Sequence, residues 1–173
     1  MDQSTYRQQQ LSKLGELIND IRIAMFTTVD EDGSLRSRPM AAPQEVFEGE
    51  LWFFTGEDAP EAEEAQQHRQ VNVSFADPGH QNYVSVSGMA RLVRDRQKME
   101  ELWSSWLRTW FPRGLDGPNL ALLKVEVEKA EYWDAAASTM VQFYGLVKAT
   151  LTGKAPQAGE HAKLLVDERQ AGT

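Results

Sequence analysis

Between Ile23 and Ala42 the chain reads IAMFTTVDEDGSLRSRPMAA, two runs of strand-forming residues on either side of the turn DEDG. Two such runs separated by a tight polar turn specify a β-hairpin. The same grammar recurs along the chain. QEVFEGELWFFT predicts a second hairpin, turning at Glu48–Gly49. VNVSF places Val71, Val73 and Phe75 on one face and Asn72 and Ser74 on the other. YVSVSGMARLV sets Val84 and Val86 against Tyr83, Ser85 and Ser87, with Gly88 marking a bulge or tight bend. LALLKVEVEKAEYW completes the set. Short antiparallel strands joined by hairpins favour a closed or nearly closed barrel over a doubly wound sheet. The expected fold is therefore mainly β, about six antiparallel strands with flanking helices.

The helical signals lie at the ends and at two crossings. Leu11, Leu14, Leu17, Ile18 and Ile21 form one apolar stripe, which predicts a helix over about 4–21. A second helix follows WFFT. Asp95 has the character of an N-cap, and Met99, Leu102, Trp103, Trp106, Leu107 and Trp110 recur at helical spacing until FPRG stops the run. That tryptophan stripe could line a ligand, but its spacing is that of a core face or a subunit contact. STMVQFYGLVKATLTGK predicts a last helix over about 138–152, with Gly153 as its stop. The expected organisation is one domain over 1–153, with its barrel at about 22–133, and a polar, mobile tail over 154–173 interrupted only by KLLV.

Composition narrows the function. The 173 residues carry a formal charge of −8, which argues against nucleic acid and against anionic membrane surfaces as partners. There is no cysteine, so thiol chemistry, disulfides and thiolate metal sites are excluded. His68, His80 and His161 lack ligand spacing, and DEDG lacks the later ligands of a calcium loop, so no metal site is expected. No run of about 18 apolar residues exists to span a membrane. The N-terminal stretch has no apolar segment of the signal-peptide kind, so a cytoplasmic location is expected. No P-loop, G-x-S-x-G or G-x-G-x-x-G is present.

The most informative polar residues are in LRSRPMA. Residues two apart on a strand point the same way, so Arg36, Arg38 and Met40 share a face. Two guanidiniums about 7 Å apart make a fork for an anion on an otherwise acidic chain. The plainer alternative is two arginines paired with Glu or Asp. Pro39 lacks a backbone donor and belongs at an edge or opposite a non-protein partner.

The order IAMFTTVDEDGSLRSRPM, LWFFT, helix, VNVSFADP, YVSVSGMARLVRD and EYWD resembles the bacterial general stress protein 26 group. That group belongs to the pyridoxamine 5′-phosphate oxidase-like, FMN-binding split-barrel superfamily. The resemblance covers roughly residues 10–153. It implies a homodimer of split barrels with two flavin sites at the subunit interface. By resemblance, Arg36 and Arg38 lie toward the phosphate end, with Arg38 near the phosphate and ribityl chain. Pro39 and Met40 lie against the ring. Phe54 and Thr55 offer a backbone and a hydroxyl contact, Tyr83 stands beside the ring, and Trp133 packs on the cofactor from the other chain. A buried strand-end aromatic is the competing reading of Trp133.

Two departures qualify what is implied. After FFT, the resembling proteins offer a small hydroxyl residue and then Arg or Lys to the phosphate, whereas this chain has Ala59, Pro60 and Glu61. Asp58 and Glu61 have instead the spacing of an N-cap and its reciprocal partner. Glu57, Glu61, Glu63 and Glu64 would repel a phosphate. The Arg-x-His pattern that true pyridoxamine phosphate oxidases carry after the strand-end tryptophan is replaced by WDAAASTM, which rejects that specific activity. Two expectations remain: a flavin-binding stress-type protein, with FMN or the larger FAD and flavin-dependent oxidoreductase chemistry on an unknown substrate, or a cofactor-poor dimeric scaffold. No catalytic side chain is assigned.

Overall fold

The computed structural model describes residues 3–43, 47–134 and 160–165, the last of these as backbone. The elements in chain order are α1 (Gln3–Ile18), β1 (Ile23–Val29), β2 (Leu35–Ala41), β3 (Glu50–Gly56), α2 (Pro60–Gln67), β4 (Gln70–Asp77), β5 (Asn82–Val93), α3 (Arg96–Leu102), two 3-10 turns at Ser105–Thr109 and Gly114–Asp116, β6 (Leu120–Asp134) and β7 (Glu160–Leu165). The strands follow the order β2-β1-β4-β5-β6-β3, with β7 added beside β6, and every pairing is antiparallel. The sheet curls into a half-barrel, so that β2 and β3, at opposite ends of that order, approach each other.

The first hairpin closes as the sequence predicts. Gly33 sits at φ 82°, the left-handed conformation that a tight turn asks of glycine, and Asp30 and Ser34 bond across the turn. Period-two alternation places Ala24, Phe26 and Thr28 inward on β1, Val71, Val73 and Phe75 on β4, and Val84 and Val86 on β5. These side chains meet Leu14, Leu17 and Ile18 of α1 in the main core. Phe26 and Phe53 make an edge-to-face pair at 5.2 Å. Each such fully buried side chain contributes about 1.5–3 kcal/mol. The Lys13 ammonium meets the buried Asp134 carboxylate at 2.9 Å, tying α1 to the end of β6.

Gly88 is a bulge, where the β5–β6 register shifts. A Cβ there would lie 2.1 Å from the Glu126 carbonyl oxygen, so only glycine allows β6 to approach this closely.

β3, the later arm of the expected second hairpin, pairs with β6; the earlier arm includes residues 44–46, outside the described residues. The helix expected to run from Asp95 to FPRG is α3 alone, ending at Leu102, followed by a 3-10 turn after Ser104. Ser104 and Ser105 are weak helix formers, and the apolar residues on both sides still pack into a second cluster around Phe54 and Leu122. Asp95 does cap α3, accepting from the Lys98 backbone N–H at 3.1 Å. In the tail, β7 spans 160–165 and takes in most of the KLLV stretch set apart from the polar remainder. The start of α2 differs as well, with Ala59 and not Asp58 at its N-cap. The helix expected over 138–152 lies outside the described residues. No described helix is long and apolar enough to cross a membrane.

Candidate functional site

Alternation along β2 turns Arg36 and Arg38 to one side of the strand and Pro39 to the other. On the arginine side stands α2. Its Ala62 and Ala65 pack into the barrel wall, and Glu61 and Glu64 flank them. Glu64 is buried, its side chain 8 % exposed. Its Oε1 accepts from Arg36 Nη1 at 2.8 Å and its Oε2 from Arg38 Nη2 at 2.6 Å. Thr28 Oγ1 also donates to Oε2 and accepts from Arg38 Nη1 at 2.8 Å, closing a ring of charge-assisted contacts. Arg36 reaches Asp30 as well, at 3.5 Å. Burial pushes the Glu64 carboxyl upward in pKa. The hydrogen bonds from Thr28 and Arg38, and the charges of Arg38 and Arg36, outweigh burial and hold it below its ordinary 4.5.

Thr55 is buried at the end of β3, and its Oγ1 donates to Glu61 Oε1 at 2.8 Å. Glu61 therefore does not serve as reciprocal partner to an Asp58 cap. The N-cap of α2 is Ala59, which offers no side-chain bond, and Pro60 occupies the first turn. Proline suits that turn because its missing N–H would have lacked a helical partner anyway. Glu61 and Glu64 turn to strand residues, while Glu63 accepts from Gln67 of its own helix at 3.3 Å.

The other side of the sheet is different in kind. Tyr83 and Trp133 are register partners on β5 and β6, about two-fifths exposed at 42 % and 40 %. Met25 and Pro39 are partners on β1 and β2, both exposed. Between these pairs runs a row of small polar groups: Asn72 donates to Ser85 at 3.0 Å and to Ser87 at 3.2 Å, Ser74 donates to Asn72 at 3.1 Å, and Thr27 bonds Ser37 at 2.7 Å. Met40 and Phe54, by contrast, are core residues at 6 % and 2 % exposure, so their side chains face the interior and only their backbones could meet a ligand.

The structure thus gathers Arg36 and Arg38 with α2, sets Thr55 one helical turn away at the start of the same helix, and places Pro39, Tyr83 and Trp133 on the outer face. It does not converge all eight residues within one chain. The sequence groups Glu64 with Glu57, Glu61 and Glu63 as carboxylates that would repel a phosphate and does not mark it as the arginines' buried partner. A signal existed: it lies three positions after Glu61 and next to Ala65, beside the helix's small apolar stripe.

The model for pyridoxamine 5′-phosphate oxidase-like proteins matches residues 9–157. The chain belongs to that family. It is 28 % identical over 138 residues to general stress protein 26 of Bacillus subtilis, covering 75 % of this chain and 91 % of that one. Among solved structures, a general stress FMN/FAD binding protein from Xanthomonas citri is 31 % identical, with a TM-score of 0.62 over 73 % of this chain and 89 % of that one. A general stress protein 26-related structure from Clostridium acetobutylicum has a TM-score of 0.67 over 92 % and 96 % of the two chains; at 18 % identity it speaks to the fold alone. The half-barrel is therefore a split barrel of the kind found in these relatives.

Proposed function

We propose that this member of the pyridoxamine 5′-phosphate oxidase-like family binds a flavin through the outer face of its sheet, as a homodimer. The observation that carries the reading is the Tyr83–Trp133 cross-strand pair, held exposed beside a row of amide and hydroxyl groups. A planar, largely apolar ring with polar edges suits that combination. The Xanthomonas relative supports it. On this reading Pro39 and the backbones of Met40 and Phe54 border the ring, Tyr83 stands beside it, and Trp133 closes over it from the second chain. Flavin, when bound, supplies electron or hydride transfer at its ring, which makes a flavin-dependent oxidoreductase the activity to look for. The chain's residues bind and orient the ring and exclude water from it.

The residues at the phosphate end fit this group poorly. Both arginines and the Thr55 hydroxyl already have carboxylate partners. That observation favours the second reading, a dimeric scaffold without cofactor. Flavin titration followed by absorbance near 450 nm separates the two. Saturable binding is expected, weakened about 2- to 12-fold by Trp133→Ala or Tyr83→Ala, the worth of one aromatic contact. A chain that stays colourless and gains no thermal stability in millimolar flavin is the scaffold.

A further inference from the structure

We infer that this site selects flavins by the polyol chain and not by phosphate, so that riboflavin binds more tightly than FMN. The inference rests on the flavin reading above and concerns the end of the ligand away from the ring. The groups assigned to a phosphate by resemblance are Arg36, Arg38 and the Thr55 hydroxyl. Each is engaged by a carboxylate: Glu64 at 2.8 and 2.6 Å, and Glu61 at 2.8 Å. Counting Asp30 at 3.5 Å from Arg36, the two guanidiniums face two carboxylates, and Glu61 adds a third at Thr55. The local charge is negative before any ligand arrives.

A phosphate monoester at neutral pH is nearly a dianion with only acceptor oxygens. To reach the arginines it would displace Glu64, whose side chain is 8 % exposed, and leave that carboxylate buried without its partners. To reach Thr55 it would displace Glu61. Ala59 and Pro60, the N-cap and first residue of α2, add neither a hydroxyl nor a cation. A neutral polyol has the opposite chemistry. Its hydroxyls donate, and Glu61, half-buried beside Thr55, is an acceptor. The carboxylate that repels a dianion there therefore complements a ribityl hydroxyl.

One cation stands nearby. Arg113 lines a recess that Thr55 and Gly56 share with Trp110 and Phe111. A phosphate seated there would bypass the carboxylates, so the experiment includes that residue. The full chain is titrated with riboflavin and with FMN, following quenching of flavin fluorescence at fixed pH and salt, for the wild type, Glu61→Gln, Glu64→Gln and Arg113→Ala. The expected result is riboflavin bound at least about tenfold more tightly than FMN, the scale of one charge-assisted contact. Glu61→Gln, which leaves the Arg–Glu64 ring intact, should narrow that ratio by raising FMN affinity, and Glu64→Gln should narrow it further if it folds. FMN binding as tightly as riboflavin in the wild type overturns the inference and leaves the flavin reading standing; loss of that affinity in Arg113→Ala would then place the phosphate in the recess. An unchanged ratio in Glu61→Gln and in folded Glu64→Gln overturns the role given to the carboxylates. Binding of neither flavin ends both readings.

Discussion

The two sides of the β1–β2 ribbon carry opposite solutions to the same problem. On the α2 side, Arg36, Arg38, Thr28 and Glu64 satisfy one another in a cluster centred on a buried carboxylate. On the outer side, Met25, Pro39, Tyr83 and Trp133 remain exposed around a short polar row. Charge is costly to bury and so finds partners within the chain. Exposed apolar surface carries no such cost and can also serve a partner from outside. The difference teaches that a strongly charged cluster need not be free to take an anion. A basic pair in sequence is a ligand site only if the fold leaves it unpaired.

The largest test of that contrast is Glu64→Ala. It leaves two guanidiniums and the Thr28 hydroxyl without their shared acceptor. Breaking a buried pair costs about 3–5 kcal/mol; here the low end is expected, because Arg36 is half exposed. Urea unfolding measures it, and a change under 1 kcal/mol would show the cluster to be ornamental.

Acid should probe the same cluster more gently. The Glu64 carboxyl is held below its ordinary 4.5 in the folded chain, so its contribution is complete above that value. It is lost as pH falls below about 4.5 toward the folded pKa, because the unfolded chain takes up the proton first. Wild type should therefore lose more stability than Glu64→Gln between pH 6 and about 3.5. Parallel losses would assign acid sensitivity to other carboxylates.

The smallest stability effect belongs to the outer face. Tyr83→Ala should change unfolding free energy by no more than about 0.5–1 kcal/mol, since the side chain is 42 % exposed. Its expected consequence is in binding and assembly, read by flavin titration and by sedimentation. A large loss of stability with unchanged binding would reverse the roles given to the two faces.

Much of the barrel was legible because alternation is a local rule. Val71, Val73 and Phe75 against Asn72 and Ser74, the DEDG turn, the Gly88 bulge and the Asp95 cap all lie where the residues alone put them. The α2 entry was misread because Asp58 and Glu61 have capping spacing, while the helix starts one residue later on Pro60. The Trp103–Trp110 stretch was read as one helix because its apolar spacing survives a break in backbone conformation. β7 was missed because a six-residue edge strand has little pattern of its own until β6 offers it hydrogen bonds.

The sequence alone determined which residues alternate and where the chain turns, and that two arginines share one face of β2. Only the tertiary structure decided that Glu64, 26 positions beyond Arg38, reaches back across the barrel wall to hold them both. The reason is physical: side-chain period is written in neighbouring residues, but the partner of a buried charge is chosen by which helix packs over which strand.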